Sequence, residues 1–332
     1  MFKQFIEMLK RLLGIKPSHD VPGSIRQDEP ELVPEVPTEE IPTDEGNEDI
    51  LPADSGFAEE NIPTPSKLKY FMFGINKYNP LKWGDCNLNG CVNDVTRLAS
   101  LVSAKGYTGE TLTDLQVTSQ AIEEHITQLA QEALPGDTIV LSYSGHGTYT
   151  MKGLERITGI VLQDKVFWDF EMRKLLVQFK KGVNIVWISD SCHSENNYKA
   201  FQESEALAAG ESPKDTTGIP KLIILPSEEK ALLDKMSTKV EEDIQCYITA
   251  LMSSQDTEVS YDTKVDGRPH GAFIGSLIQA YFDNNQVVTV DNLYNSTYTK
   301  VTTQWPQHPK LELTNCEEET CLELLGKKFL TP

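Results

Sequence analysis

Basic residues are in deficit and nowhere gathered: 30 Lys and Arg stand against 50 Asp and Glu, a formal charge of -20. Without a Lys/Arg cluster to neutralise phosphates, nucleic acid is not an expected partner. Cysteine is scarce, six in 332 residues, too few for a disulfide-stapled scaffold. Cys86-x4-Cys91 and Cys316-x4-Cys321 are each wider than the two-residue gap of a common zinc knuckle. No apolar run reaches the 18 or so residues of a membrane span. The opening MFKQFIEMLKRLLGIK is too charged for the apolar centre of a secretory signal. Together these absences predict reduced thiols in a cytoplasmic setting. With 39% apolar and 24% charged residues, the composition is that of an ordinary globular protein with chain enough for a sizeable core.

The acidity is uneven. Residues 28–60 hold 13 Asp and Glu and no Lys or Arg, leaving a charge of only -7 on the rest. Within residues 1–17, Phe2, Phe5, Ile6, Leu9, Leu12 and Leu13 fall at helical spacing. That helix is expected to dock on the chain's own body or on a partner, with weak membrane association as the sharper alternative. From 18 to 66 the sequence is Pro-, Glu- and Asp-rich. Such a stretch buries too little to offset its ordering entropy and is expected to be largely disordered.

Folded structure is predicted over 67–325. KYFMFGI (69–75), TIVLSYS (138–144) and VNIVWISD (183–190) read as buried strands, with a further short strand at 158–163. Helices are predicted over 90–104, from a cap at Thr118 or Ser119 to about Ala133, and over 169–179 with Asp169 as cap. The stretch 195–244 reads as a long flexible loop containing one apolar run, KLIIL (221–225). Order resumes with CYITALM (246–252), helices at 272–282 and 290–302, and a last strand near 310–313. Strands alternating with helices predict an α/β fold, a mostly parallel sheet with helices on both faces.

The two strongest strands end at polar clusters. SYSGHGT places His146 between two glycines, and SDSCHS places Cys192 just past a strand end. Open parallel sheets bind ligands at the carboxyl ends of their strands, so both residues are expected at one rim. A thiol there needs a histidine partner to become an efficient nucleophile near neutral pH. The N–H groups of Gly147 and Cys192 are candidate oxyanion donors. His193 competes with His146 for the role of base, but adjacent side chains tend to point apart.

These segments, with LNGCVNDV (88–95), LTD (112–114), PGD (135–137), HGAFIGSLIQA (270–280) and QHPKLE (307–312), carry a resemblance. The chain resembles the caspase-like cysteine peptidases of clan CD, and most closely type I metacaspases and their bacterial relatives, over about 68–315. The His-to-Cys separation of 46 is near the roughly 50 of caspases. The resemblance implies a large-subunit-like part over 67–194, a small-subunit-like part over 245–325, Cys192 as nucleophile and His146 as general acid/base. Glu195 stands where relatives commonly have glycine after DSCHS, which puts a charge beside the cleft.

Asp94 and Asp190 are expected at the same rim, where two crowded carboxylates need a cation. The resemblance implies that this pair, with Ser144 and Cys91 nearby, forms the pocket for a substrate Arg or Lys. The implied partner is a peptide or protein cut after a basic residue. No cofactor is expected to be required. Many metacaspases hold calcium after the HG pair, but 148–165 offers only Glu155 and Asp164 among Lys152, Arg156 and Lys165, so calcium dependence is disfavoured. No Lys or Arg lies between Arg26 and Lys67. Self-processing is therefore expected at the borders of the arm (Lys16, Arg26, Lys67, Lys69) or at Lys199, Lys214, Lys221, Lys230, Lys235 or Lys239, against the bland reading of lysines that merely solvate a loop. A non-catalytic caspase-like interaction protein is the competing class.

Overall fold

The computed structural model describes residues 66–192, 218–255 and 258–329. The helix expected within 1–17, the acidic arm up to residue 65 and the loop over 193–217 lie outside the described residues. Along the chain the strands are β1 (Leu68–Gly74), β2 (Thr108–Thr113), β3 (Thr138–Ser144), β4 (Gly147–Lys152), β5 (Glu155–Val161) and β6 (Val166–Trp168). They continue as β7 (Asn184–Asp190), β8 (Ile219–Pro220), β9 (Tyr247–Met252), β10 (Tyr261–Val265), β11 (Arg268–Gly271) and β12 (Lys310–Thr314).

Six strands make the central sheet in the order β12-β9-β7-β3-β1-β2. Every pair is parallel except the edge pair β12–β9. Successive side chains on a strand face opposite sides, and two cores follow from that alternation. Phe71, Phe73, Ile139, Leu141 and Ile185 belong to one, with Ile122 and Ile126 of the helix Ser119–Glu132 and Phe170 of the helix Asp169–Leu176. Met72, Val140, Ile188 and Leu251 belong to the other, with apolar residues of the helices Cys91–Ser103, Ala272–Asp283 and Val290–Gln304. The result is a three-layer α/β fold with a mostly parallel sheet, as the alternation of elements implied. Two small antiparallel sheets, β4-β5-β6 and β11-β10-β8, complete it.

Several local expectations are corrected. The polar segment TGETLT gave no strand signal, yet it forms the half-exposed edge strand β2. The strand read at 158–163 is Glu155–Val161, the middle strand of β4-β5-β6. Asp169 is the first residue of its helix rather than the cap, and the helix stops at Leu176. The N–H of Trp168, just before it, is satisfied by Glu171 Oε2 at 3.0 Å. Within the expected loop, Ser227–Lys235 is helical. Its polar face hid it: buried Glu229 accepts the Val166 N–H at 3.0 Å and pairs with Lys82 at 2.6 Å. Cys316 and Cys321, read as reduced, form a disulfide with Cα atoms 5.4 Å apart, a separation a bridge can span. Cys86, Cys91, Cys192 and Cys246 are free.

Register fixes the rim. β3 and β7 pair from Thr138↔Asn184 to Ser144↔Asp190, and β1 ends on the same rung with Gly74↔Ser144. His146 and Cys192 each follow two residues beyond their strand's last rung.

Candidate active site

His146 is held by both its backbone and its ring. Its N–H donates to Tyr78 Oη at 2.7 Å, and Tyr143 Oη donates to its carbonyl at 2.8 Å. These tyrosines crowd Gly145, where a Cβ would run into both hydroxyls. The ring nitrogen Nε2 lies 2.7 Å from the Cys86 carbonyl. A carbonyl only accepts, so Nε2 carries the proton and the neutral ring keeps a lone pair on Nδ1. Nδ1 is buried with no hydrogen-bond partner. Burial pushes the imidazole down from 6.5 to about 4, against the Cys86 and Lys221 backbone carbonyls that favour its charge. His146 is therefore a neutral base whose Nδ1 makes no hydrogen bond.

Cys192 is buried. Its sulfur accepts the Ser260 N–H at 2.9 Å and lies 3.3 Å from the Ser260 carbonyl. Burial pushes the thiol up to about 12, while the Ser260 backbone works in the opposite direction. The two residues expected as a pair thus stand as neutral thiol and neutral imidazole, with the thiol's hydrogen bonds on Ser260. Gly147 packs on the Cys192 backbone so closely that a Cβ would run into its carbonyl.

The carboxylates do converge. Asp94 sits in the first turn of the helix Cys91–Ser103, and Asp190 ends β7; both are fully buried. Asp94 accepts from Ser144 Oγ at 2.7 Å and from the Gly271 N–H at 3.0 Å, and its Oδ1 lies 2.8 Å from His270 Nδ1. Asp190 Oδ2 accepts the Ile274 N–H at 3.0 Å. Cys91 is buried beside them, and burial raises its thiol well above the ordinary value.

The cation these carboxylates require is the chain's own Lys221. Its Nζ lies 3.1 Å from Asp190 Oδ1, 3.6 Å from Asp94 Oδ2 and 3.0 Å from Ser144 Oγ, with no exposed side-chain surface. Burial alone would lower the lysine pKa, but the charges of Asp190, Asp94 and Asp262 more than offset it and hold the ammonium charged. The Lys221 backbone is bound as well. Its N–H donates to the Ser260 carbonyl at 2.9 Å, and its carbonyl accepts the Gly147 N–H at 2.9 Å. Two residues on, the Ile223 N–H donates to the Gly147 carbonyl at 3.0 Å. The run KLIIL is thus no core strand but an extended segment laid across the rim.

The structure packs Gly147 on the Cys192 backbone and gathers Asp94, Asp190, Ser144 and Cys91 about Lys221, all of them singled out in the sequence. Sequence reasoning passed over Ser260, His270 and Gly271, and Lys221 was one of six loop lysines. HGAF was a visible signal: its Gly271 lines the pocket so tightly that a Cβ would run into Asp190 and Lys221. Asp164 is committed to Ser119, whose N–H it accepts at 2.9 Å and whose hydroxyl it accepts at 2.5 Å. Glu155 stands at the far end of β5, roughly 20 Å away by strand rise.

The sequence profile described as the caspase domain matches residues 71–322. The chain is 25% identical over 300 residues to metacaspase-1A of Aspergillus fumigatus, covering 78% of this chain and 71% of that one. Metacaspase-7 of Arabidopsis thaliana is 37% identical over 123 residues, covering 32% of this chain and 30% of that one. Among solved structures, protein GSU0716 of Geobacter sulfurreducens shares the fold with a TM-score of 0.62 at 22% identity, over 80% of this chain and 99% of that chain. With the profile spanning most of the described fold, this chain belongs to the caspase-domain family, clan CD, and is related to the metacaspases within it.

Proposed function

We propose that this chain is a cysteine endopeptidase that cuts peptide bonds after Arg or Lys, with Cys192 as nucleophile and His146 as general acid/base. Family membership supports the peptidase class. The observation that carries the finer reading is Lys221, a basic side chain neutralised by Asp94 and Asp190 whose carbonyl rests on the Gly147 N–H. Arg fits the same pair of carboxylates with a bidentate fork.

Catalysis begins when the Cys192 side chain turns from Ser260 toward His146. The sulfur attacks the carbonyl carbon and its proton passes to His146 Nδ1. The oxyanion accepts hydrogen bonds from Gly147 N–H and Cys192 N–H. Collapse breaks the C–N bond, and His146 returns the proton to the departing amine. Water then attacks the thioester, giving its proton to His146, and the thiol is released. Protein groups and water supply the proton transfers of this scheme.

In the uncut chain the segment around Lys221 fills the cleft, so the enzyme is latent until that segment leaves. Peptides differing only before the cut, Arg against Lys against Asp, test the specificity. Arg and Lys peptides are expected to be cleaved and the Asp peptide spared. Cys192→Ala and His146→Ala are each expected to lose activity by orders of magnitude with the fold retained. Comparable turnover of the Asp peptide would sink the basic pocket. A Cys192 that resists thiol probes and cleaves nothing in any form of the chain would favour the non-catalytic reading.

A further inference from the structure

The cleft holds more of the Lys221 segment than its lysine. Before the lysine, β8 pairs antiparallel with β10 through Ile219↔Asp262 and Pro220↔Tyr261. Antiparallel pairs alternate between hydrogen-bonded and non-bonded rungs. Because the Lys221 N–H donates to the Ser260 carbonyl, the neighbouring Pro220 rung is a non-bonded one. The slot before the basic residue therefore asks for no N–H, and proline sits there buried. Its fixed φ also reduces the entropy lost when the strand is ordered.

After the lysine the demands differ. Leu222 bridges to Gly147 in parallel. Ile223 is held at both polar groups: its N–H donates to the Gly147 carbonyl at 3.0 Å, and its carbonyl accepts from Thr148 Oγ1 at 2.8 Å. An N–H is therefore obligatory at the second residue past the lysine. The flanking side chains are apolar and half-buried. Leu222 packs on the core that contains Cys192 and Tyr261, and Ile219 and Ile223 on the core that contains Cys91 and Leu88.

We infer that Ile219–Ile223 is a template of the substrate: the cleft reads an extended strand of the form apolar-Pro-basic, cut, apolar-apolar, with Thr148 as a specificity-determining residue on the far side of the cut. The inference rests on the proposed peptidase reading and extends it from one subsite to five. A substrate adds to the free edge of β10 as β8 does now.

The test uses the full-length chain after self-processing and peptides built on Ile-Pro-Lys-Leu-Ile. Replacing the proline by alanine is expected to lower kcat/KM about two- to fivefold, the usual scale of a proline's conformational restriction. Proline at the second residue past the cut removes the bond to Gly147 and is expected to cost about tenfold or more. Thr148→Val is expected to slow these peptides about three- to tenfold. The loss should be smaller on Ile-Pro-Lys joined directly to a fluorogenic amine, which lacks the carbonyl that Thr148 binds, and Thr148→Ser, which keeps the hydroxyl, should recover the rate on the full peptides, an outcome a merely structural Thr148 would not give. Equal cleavage of all the peptides, still confined to the bond after lysine, would overturn the template and leave the peptidase reading standing. No cleavage of any of them would overturn both.

Discussion

Cys192 Sγ is bonded to Ser260, accepting its N–H at 2.9 Å, while His146 Nδ1, the nitrogen that would take the thiol proton, has no partner. Ser260 also receives the Lys221 N–H on its carbonyl. One residue thus ties the nucleophile and the occupying segment together. With burial pushing the thiol up to about 12, the thiolate is scarce in the uncut chain. Alkylation of Cys192 at pH 8 is expected to be on the order of a hundredfold slower before the segment is released than after it. Rates followed by mass spectrometry of the Cys192 peptide, in intact and cut protein, check this. Equal rates in the two forms would show that the cleft is already open.

The chain's own Lys221–Leu222 bond is the expected first target in the latent form. Of the six loop lysines, Lys199 and Lys214 lie outside the described residues, and Lys230, Lys235 and Lys239 lie in or after the helix Ser227–Lys235. Among the described loop lysines, Lys221 alone is placed in the acidic pocket. Incubated alone, the enzyme is expected to cut after Lys221, and Lys221→Arg to retain that cut. Lys221→Met leaves Asp94 and Asp190 without their cation. It is expected to abolish the cut and, as for breaking a buried ion pair, to cost about 3–5 kcal/mol of stability. Intact-mass analysis of the three proteins decides. Cleavage at another lysine in the Lys221→Met protein, with full activity, would show that occupancy of the pocket is not what restrains the enzyme.

The framework of this site was legible because it follows from strand ends. Strongly apolar runs marked β3 and β7, and in a parallel sheet their ends had to share a rim, so SYSGHG and SDSC pointed to one place. The acidic pair was legible for the same reason, one carboxylate at a strand end and one in the first turn of a following helix. Lys221 was hidden because its role depends on a non-local pairing. The single rung that joins it to Ser260 spans 39 residues of sequence and has no periodic signature. Ser260 acts through its backbone, which no residue type reveals. The helix Ser227–Lys235 was missed because its buried glutamate answers a lysine and a backbone N–H far away in the chain.

Calcium is expected to be dispensable. A hard divalent cation gathers about 6–8 oxygen ligands. Of the two carboxylates of 148–165, Glu155 begins β5 and Asp164 lies in the turn beyond its far end, where it is already spent on Ser119. Excess chelator should leave cleavage of a basic peptide unchanged by the self-processed enzyme. Loss of activity with chelator, and recovery with millimolar calcium, would mean that ligands outside this segment build a site.

His146 also makes a prediction about pH and stability. Its folded-state pKa is depressed to about 4 by burial, whereas the unfolded chain titrates near the ordinary 6.5. Between those values the unfolded state binds a proton that the folded state refuses, so acidification through this window favours unfolding. The ring's contribution to stability is fully present above about pH 6.5 and declines toward pH 4. At pH 5 the linkage amounts to about 2 kcal/mol relative to pH 7.5. Asp262 opposes it: burial raises that carboxyl to about 6, so its protonation favours the folded state as the pH falls. A difference measurement isolates the histidine. His146→Gln, which cannot titrate, is expected to gain about 2 kcal/mol relative to the parent on moving from pH 7.5 to pH 5. Both proteins should carry Cys192→Ala, so that self-cleavage does not intervene. Urea unfolding of the pair at the two pH values gives the number. A stability gap between them that is the same at both would mean that the imidazole is not held neutral in the folded cleft.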